Sequence, residues 1–372
     1  MAVPWAEARE RAHRAVPPLP PRTVPLAAAL GGVLAADLCA LADLPVEDVT
    51  AMDGYAVAAE PAAGPWRVVR RVLAGAEAGP PLAAGEAVEV ATGAPVPAGT
   101  AAVLPYECAT VAGSVVAGEV TPGRHVRRRG ENHRAGTSLL PAGTPVTPVV
   151  LGLAASAGHD TLRVRPAPAV AAFLTGDELL TAGVPRPGRV RDAVGPLLAG
   201  LYPGAELRHL PDRPGALAAA LAGSTADVLL TCGASAAGPA DHLRGVLAEL
   251  GATTVVESVD CRPGHPQSLS VLPDGRPVVG LPGNPLAALA ALLTLAPPVL
   301  AALRGLPLPA LPVVRYAGPP VTGPTTRLVP VTVEAGVATP TGVPRSASLL
   351  TAATADALAA VTGDTALLLS HG

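Results

Sequence analysis

Aromatic residues, net charge and paired cysteines are all scarce in this chain. Only 2% of its 372 residues are Phe, Trp or Tyr, so a platform on which nucleic-acid bases stack is not expected. The formal net charge is −3, which gives no overall attraction to nucleic acid or to anionic membranes. The four cysteines form no Cys-x-x-Cys pair, which argues against a zinc site or a disulfide framework.

Export and membrane signals are also missing. Residues 1–14 contain a charge-rich run at 7–11 and lack the apolar core of a signal peptide. The most apolar stretch, Leu286–Leu303, is barely long enough to span a bilayer and contains the pair Pro297–Pro298. It is therefore predicted to be a core helix that is broken near the proline pair. We expect a cytoplasmic protein with neither nucleic-acid nor membrane partners.

The length of the chain and the changes in its residue pattern along the sequence predict several domains, since a domain takes about 100–200 residues. Residues 1–46 look helical with proline-rich breaks, Leu26–Leu38 being the clearest amphipathic piece, and with 139–165 they form one mixed domain. The predicted β-rich inserted domain is 47–138, the α/β domain is 166–303, and the C-terminal β-domain is 304–372.

The α/β domain is predicted from alternating strand and helix patterns. The predicted strands are Ala169–Leu174, Asp227–Thr231 and Val278–Leu281, and the predicted helices are Ala193–Leu201, Pro214–Leu221 and Asp241–Leu250. The fold class is thus α/β plus β, with a central parallel sheet. In such sheets, ligands bind beyond the carboxyl ends of the strands.

Three loops fall at such strand ends. Gly280–Pro285 offers Asn284 as a helix N-cap and Pro285 at the first helical position, so it is either an ordinary turn or an anion site at a helix N-terminus. Thr175–Glu178 either supplies a carboxylate or caps a helix. Residues 232–238 are small enough to cradle a phosphate or to make a tight connection, but they lack the Gly-Lys-Ser/Thr ending of a P-loop.

Charged residues outside these loops also have two interpretations each. Asp212 and Asp241 suit Mg²⁺, which prefers oxygen ligands, but loop aspartates commonly cap turns. Arg127–Arg129 is either a solvated run or an anion clamp. Arg262–Pro266 is either an exposed loop or a rigid turn that presents two cationic groups.

Taken in order, short motifs along nearly the whole chain resemble those of the molybdopterin molybdenumtransferase family (MoeA and the gephyrin E-domain). The motifs are Thr50–Ala56 (Thr-Ala-Met-Asp-Gly-Tyr-Ala), Thr92–Gly99 (Thr-Gly-Ala-Pro-Val-Pro-Ala-Gly), Val126–Gly136, Thr175–Leu179 (Thr-Gly-Asp-Glu-Leu) and Leu281–Pro285 (Leu-Pro-Gly-Asn-Pro). The resemblance implies a four-part fold and a homodimer whose sites combine the α/β domain of one subunit with the β-domain of the other. It implies Mg²⁺-dependent insertion of molybdate into adenylylated molybdopterin, with release of AMP.

The resemblance also implies roles for individual residues. Asp53, Glu178 and Asp241 would be catalytic, and Asp212, Asp241 and Glu178 would bind the metal. Three further residues, Arg262, His265 and Arg327, would face the molybdate oxyanion together with Ser346. The pterin and phosphate would be held by Gly233, Ser235, Gly238, Pro282, Gly283, Asn284 and Pro285.

Several positions depart from the family pattern. Ala234 replaces the second glycine of the phosphate loop, Asn132 replaces an aspartate, and His265 replaces a lysine. The family's Asp-x-Asn is here Asp192-Ala193-Val194. Losing a unit charge about 4 Å from an anion costs up to about 4 kcal/mol at an effective dielectric near 20. The alternatives to an active transferase are an impaired paralogue that still binds molybdopterin or a partner, and a scaffolding role.

Overall fold

The structure is a computed structural model that describes residues 2–233 and 242–370. The chain divides into two compact units. Met1–Arg22 and Arg165–Gly372 form the first unit, and Thr23–Val164 forms the second. The N-terminal helix therefore belongs to the same unit as the C-terminal half of the chain.

A six-stranded sheet lies at the centre of the first unit. Its strands, numbered along the chain, are β1 (Val170–Thr175), β2 (Glu206–Leu210), β3 (Val228–Cys232), β4 (Thr253–Val256), β5 (Ser268–Val271) and β6 (Pro277–Leu281). The order is β2-β1-β3-β6-β5-β4. Strands β2, β1, β3 and β6 are parallel, whereas β5 is antiparallel to β6 and β4. The expected α/β class with a central parallel sheet is confirmed.

Helices cover both faces of this sheet because alternate strand residues point to opposite sides. The helices are α1 (Trp5–Arg14), α2 (Val194–Leu201), α3 (Pro214–Gly223), α4 (Leu243–Glu249) and α5 (Pro285–Leu303). Ala172 and Leu174 of β1 pack in the core that contains α1, α2 and α5. Ala171 and Phe173 pack in the core that contains α3 and α4.

Helix α5 runs without interruption through Pro297 and Pro298, so the predicted break is wrong. A proline removes the helical hydrogen bond to the carbonyl four residues earlier. That carbonyl for Pro297 is Leu293 O, which instead accepts from Nη1 of the buried Arg9 at 3.5 Å. The helix is long and apolar enough to cross a membrane by composition, but 89% of its apolar window is buried inside the protein. It is the core helix that the sequence predicts.

A second sheet of seven strands completes the first unit. Its strands, in spatial order, are Val3–Pro4, Val259–Arg262, Thr326–Glu334, Val337–Pro340, Val313–Tyr316, Thr365–Ser370 and Ala357–Thr362. Strand Val259–Arg262 leaves the α/β region between β4 and β5 and pairs in parallel with Thr326–Glu334. This excursion places Arg262 on a different sheet from its neighbours in sequence.

The second unit is mainly β-structure. Its six-stranded sheet contains, in spatial order, Thr110–Ala112, Val115–Ala117, Trp66–Val72, Glu86–Val90, Gly54–Ala58 and Thr100–Pro105. Smaller sheets contain Arg22–Pro25, Val33–Leu34, Leu38–Cys39, Val49–Thr50, Val126–Arg127, Ser138–Leu140 and Thr161–Arg165, and a helix spans Pro148–Ser156.

The predicted helix Leu26–Leu38 is mostly wrong. Only Leu26–Ala29 is helical, and Val33–Leu34 is a strand. Gly31 has a φ of 75°, a backbone conformation that glycine adopts without strain and that no helix continues. The apolar spacing of this segment therefore reflects burial of successive short elements.

Candidate active site

The carboxyl ends of four parallel strands meet at one edge of the central sheet. Leu174 of β1 pairs with Cys232 of β3, which pairs in turn with Leu281 of β6. On the other side, Thr175 pairs with Leu210 of β2. The loops that follow these strands are therefore neighbours, as expected for a ligand site in a parallel sheet.

Direct contacts tie three of these loops together. Thr175 Oγ1 donates a hydrogen bond to Cys232 O at 3.2 Å, and Cys232 Sγ donates to Pro282 O at 3.4 Å. Gly233 has a φ of 105°, and a Cβ at this position would lie 2.3 Å from Thr175 O. Only glycine satisfies both the backbone conformation and the close approach. Gly233 thus keeps the strand ends packed against each other.

A cavity of about 600 Å³ opens above these loops. We call it the acidic cavity, because two carboxylates, Glu178 and Asp192, line it together with one arginine, Arg191. Five of the predicted site residues line it, namely Glu178, Gly233, Gly283, Asn284 and Pro285. Its size suits a ligand of cofactor dimensions.

A second cavity of about 410 Å³ lies next to the first. We call it the basic cavity, because Arg262, His265 and Arg327 line it. Pro282, Asn284 and Ser346 line it as well, so all four residues that the resemblance assigns to the oxyanion are brought together. Asn284 lines both cavities, so they lie on either side of this residue, and we refer to the two adjoining cavities together as the depression.

Helix α5 begins at the junction of the two cavities. Asn284 is its N-cap residue and Pro285 its first residue, as predicted, but the Asn284 side chain makes no capping hydrogen bond. Leu286 N donates to Ser346 O at 3.0 Å, which fixes the 346 segment against the start of the helix. The Asn284 carboxamide is exposed and available to a ligand.

The cationic groups of the basic cavity are free to meet an anion. Arg262 and Arg327 are register partners on adjacent parallel strands, and within the described residues no ion pair joins either of them to a carboxylate. His265 Nδ1 lies 2.9 Å from Val259 O. Because a carbonyl only accepts, Nδ1 carries the proton, and only the imidazolium form also offers an N–H from Nε2.

The acidic residues are more dispersed than the sequence predicts. Asp212 N donates to Asp177 Oδ1 at 3.2 Å, and Asp212 Oδ1 is buried without a hydrogen-bond partner. Glu178 lines the acidic cavity, but Asp212 does not. Across residues 2–233 and 242–370, no group of three or more His, Cys, Asp or Glu side chains is placed to hold a metal ion. Asp241, Ser235 and Gly238 lie outside the described residues.

Asp192 is a site residue that the sequence analysis noticed only as a departure. It is buried, and its Oδ1 accepts from Val194 N and Gly195 N, both at 2.9 Å. Its Oδ2 accepts from His209 Nε2 at 2.8 Å. An aspartate just before a helical pattern signals an N-cap, but its contact with His209 depends on β2 lying beside β1. Asp192 thereby joins the loops that follow β1 to the end of β2.

In the second unit, Asp53 is held by one neighbour. Thr92 N and Thr92 Oγ1 donate to Asp53 Oδ1 at 2.6 and 2.9 Å. These backbone and side-chain hydrogen bonds lower the pKa of Asp53 below its usual range. Asp53 is therefore an oriented, ionised carboxylate, and Thr92 is its positioning partner.

The arginine run of the second unit is largely engaged in ion pairs. Arg128 Nη1 lies 2.6 Å from Asp48 Oδ2, and Arg129 Nε lies 2.6 Å from Asp43 Oδ2. The anion-clamp interpretation is thus wrong for these two side chains, which join segments far apart in sequence.

A parallel α/β sheet with a glycine-lined cavity at its strand ends, adjoining a basic cavity on a second sheet, defines a small-molecule-binding protein suited to an anionic ligand. Two family models match the chain: the MoeA N-terminal region (domain I and II) over residues 3–158, and the probable molybdopterin binding domain over residues 171–302. The chain belongs to the MoeA (molybdopterin molybdenumtransferase) family, as its motifs predict.

Individual relatives agree with this membership. The chain is 36% identical to molybdopterin molybdenumtransferase 2 of Mycobacterium tuberculosis (strain CDC 1551 / Oshkosh) in a 316-residue alignment that covers 78% of this chain and 76% of the relative. It is 36% identical to the molybdopterin molybdenumtransferase of Synechococcus elongatus over 291 residues, 72% of each chain. The crystal structure of a molybdopterin biosynthesis MoeA protein from Pyrococcus horikoshii superposes with a TM-score of 0.75 at 25% identity, covering 100% of both chains.

Proposed function

We propose that this chain is an active molybdopterin molybdenumtransferase, which inserts molybdate into adenylylated molybdopterin and releases AMP. The observation that carries the proposal is that the acidic cavity and the basic cavity adjoin at Asn284, which lines both. The larger part has room for a pterin nucleotide, and the basic part offers two guanidinium groups and an imidazole to a tetrahedral oxyanion.

Each part of the depression has a role in this proposal. Gly233 and Gly283 both line the acidic cavity and carry no side chain, so the substrate can approach the backbone at the strand ends closely. Arg262, Arg327 and His265 hold molybdate beside the substrate, and the two guanidinium groups neutralise its charge. The basic groups hold molybdate in a fixed orientation beside the anionic substrate, so that the two anions need not meet by diffusion.

Mg²⁺ is part of the proposal, and the residues fit it in one respect. The buried Oδ1 of Asp212 has no hydrogen-bond partner in the part of the chain that the structure describes, and an unsatisfied carboxylate oxygen is the donor that Mg²⁺ prefers. Asp212, Asp241 and Glu178 would hold the ion. When bound, Mg²⁺ supplies positive charge to the phosphate groups.

We further propose a homodimer in which Asp53 of one subunit contributes to the site of the other. The ionised state of Asp53, fixed by Thr92, suits a role beside a metal-bound phosphate. Light scattering on the purified chain at micromolar concentration tests this arrangement. A stable monomer that still turns over would overturn it.

The decisive experiment measures AMP release from adenylylated molybdopterin with molybdate and Mg²⁺. We expect molybdate-dependent release from the wild-type chain and at least a 10-fold loss in Arg327→Ala. Arg315→Ala is the matched control, because Arg315 is exposed on a strand of the same sheet and lines neither cavity. Equal rates with and without molybdate would contradict the proposal.

A second function, binding of molybdopterin without turnover, is favoured by one observation. His265 Nδ1 is committed to Val259 O, so the neutral ring turns a lone pair of Nε2 toward an oxyanion and not an N–H. If adenylylated molybdopterin binds but molybdate does not stimulate AMP release at any pH between 5 and 8, this second function is the correct one.

A further inference from the structure

A third cavity of about 610 Å³ lies at the other end of helix α5. The active-site depression is at Asn284 and Pro285, where α5 begins, whereas this cavity is lined by its last turns, including Pro297, Leu300 and Arg304. The helix has 19 residues, so the two ends are roughly 28 Å apart at about 1.5 Å per residue. We call it the distal cavity.

The walls of the distal cavity are almost entirely apolar. They comprise Leu201, Leu293, Pro297, Leu300, Ala301, Leu306, Pro307, Leu308, Pro309 and Ala310. The polar side chains that line it are Tyr202, Arg304 and Ser370. A cavity of this size and lining is typical of a site for a small, mostly apolar molecule.

The polar side chains are all capable of donating to an anion. Arg304 is half-buried, and within residues 2–233 and 242–370 its Nε has no hydrogen-bond partner. Burial raises the pKa of the Tyr202 hydroxyl to about 12, so it stays protonated and can donate. Among the residues that line the distal cavity there is no Asp or Glu. Arg304 is the C-cap residue of α5, so the partial negative charge of the helix end is favourable to its guanidinium, but no carboxylate that lines the cavity neutralises it.

A second uncompensated arginine lies next to the distal cavity. Arg9 is buried and lines a smaller cavity of about 190 Å³, which shares Leu293, Pro297 and Ser370 with the larger one. Arg9 Nη2 donates to Pro309 O at 3.1 Å, and its guanidinium lies over the Trp5 ring at 5.4 Å. Carbonyls and a ring solvate this charge without neutralising it, and a buried charge without a counterion is costly.

We propose that the distal cavity is a binding site for an amphipathic organic monoanion, a carboxylate with an apolar chain or ring of about ten carbons. The apolar part lies between the leucine and proline walls. The carboxylate accepts hydrogen bonds from Arg304 and from the Tyr202 hydroxyl, and its charge compensates that of Arg304. The site is separate from the depression proposed for catalysis, and its ligand is not a molybdopterin.

Calorimetric titration with three ten-carbon probes tests this proposal: decanoate, decanol and decyltrimethylammonium. We expect decanoate to bind at least 10-fold more tightly than either of the other two. Arg304→Gln should remove that preference while leaving the weak binding of decanol unchanged. Arg315→Gln, an exposed arginine outside all three cavities, should leave decanoate binding unaltered.

Two further measurements keep the result interpretable. Circular dichroism and thermal unfolding establish that Arg304→Gln is folded, and Tyr202→Phe is a gentler variant that should weaken decanoate several-fold and decanol not at all. Equal affinity for decanoate and decanol, an unchanged preference in folded Arg304→Gln, or no binding of decanoate would each overturn the proposal. All these readouts are independent of transferase activity.

Discussion

Arg262 and Arg327 are opposite each other on adjacent parallel strands, and both line the basic cavity. Two guanidinium groups in register repel each other unless an anion lies between them. In sequence the two residues are separated by the whole of β5, β6 and α5, so their pairing is a product of the second sheet. It is the feature that makes this part of the surface suited to a dianion.

The first prediction concerns this pair. Replacing Arg327 with Ala should weaken molybdate binding by about 10-fold or more, because a charge-assisted hydrogen bond contributes about 1.5–3 kcal/mol and both side chains are partly screened by water. Substrate titrations with and without molybdate measure the change. The affinity for adenylylated molybdopterin should fall less, and an equal loss for both ligands would mean that Arg327 acts on the nucleotide.

The second prediction concerns His265. Its Nδ1 already donates to Val259 O, so the neutral ring has no N–H left for molybdate. Lysine at this position would offer three donors and a positive charge. His265→Lys should therefore strengthen molybdate binding and raise AMP release, and titrations with molybdate measure the change. Equal molybdate affinity in wild type and His265→Lys would show that residue 265 does not contact the anion.

The strand-end loops and the basic turn could be predicted from sequence because each depends on local chemistry. Gly, Pro and Asn at Gly280–Pro285 specify a strand-to-helix turn, and alternating strand and helix patterns specify a parallel sheet. The start of α5 at Pro285 follows from these rules and is confirmed. Local rules also predict the helix break at Pro297, which is wrong: the carbonyl that Pro297 frees, Leu293 O, accepts from Arg9, 284 positions before Leu293, a contact that no local pattern reveals.

The contacts of Asp192 and Arg128 could not be predicted for a related reason. His209 contacts Asp192 only because β2 pairs with the outer edge of β1. Arg128 contacts Asp48, which lies 80 positions earlier in the sequence. A single sequence contains no measure of such distances. The family resemblance supplied the residues of the basic cavity, but only the second sheet explains why Arg327 lies beside Arg262.

The third prediction tests the packing at Gly233. Gly233→Ala should lower the free energy of unfolding by about 2 kcal/mol or more, because it combines positive-φ strain of about 1–2 kcal/mol with a contact to Thr175 O. Chemical denaturation measures the loss. Gly200→Ala is the control: nothing lies within 4 Å of its Cβ position in α2, and alanine there should be neutral or slightly stabilising. A Gly233→Ala variant as stable as Gly200→Ala would contradict this account.

The fourth prediction concerns Mg²⁺. Asp212→Asn keeps the shape of the side chain but removes the charge of the buried, unpartnered Oδ1. We expect the Mg²⁺ concentration for half-maximal AMP release to rise by about 10-fold or more, with little change in thermal stability. Asp227→Asn is a control carboxylate, since its Oδ2 accepts from Ala169 N at 2.8 Å, at the start of the sheet and away from the strand ends. An unaltered Mg²⁺ dependence would remove Asp212 from the metal site.

The fifth prediction concerns the ionisation of Asp53. Thr92 N and Thr92 Oγ1 hold its pKa below the usual range, the backbone bond having the larger effect. Thr92→Val should therefore raise the pKa of Asp53 only partly, and Thr92→Ser should leave it low. NMR titration of the Asp53 carboxyl carbon measures both.

The sign of the associated stability change follows from the lowered pKa of folded Asp53. The ionised Asp53 carboxylate raises the free energy of unfolding. This contribution is fully present above the pKa of Asp53 in the unfolded chain, near 3.9, and is lost as pH falls through its lower pKa in the folded chain. Wild type should therefore lose stability relative to Thr92→Val on acidification below about pH 4, and the two should be separated by a constant amount at neutral pH. A Thr92→Val variant whose Asp53 pKa equals that of wild type would show that the Oγ1 bond contributes nothing, leaving the Thr92 N–H as the whole cause.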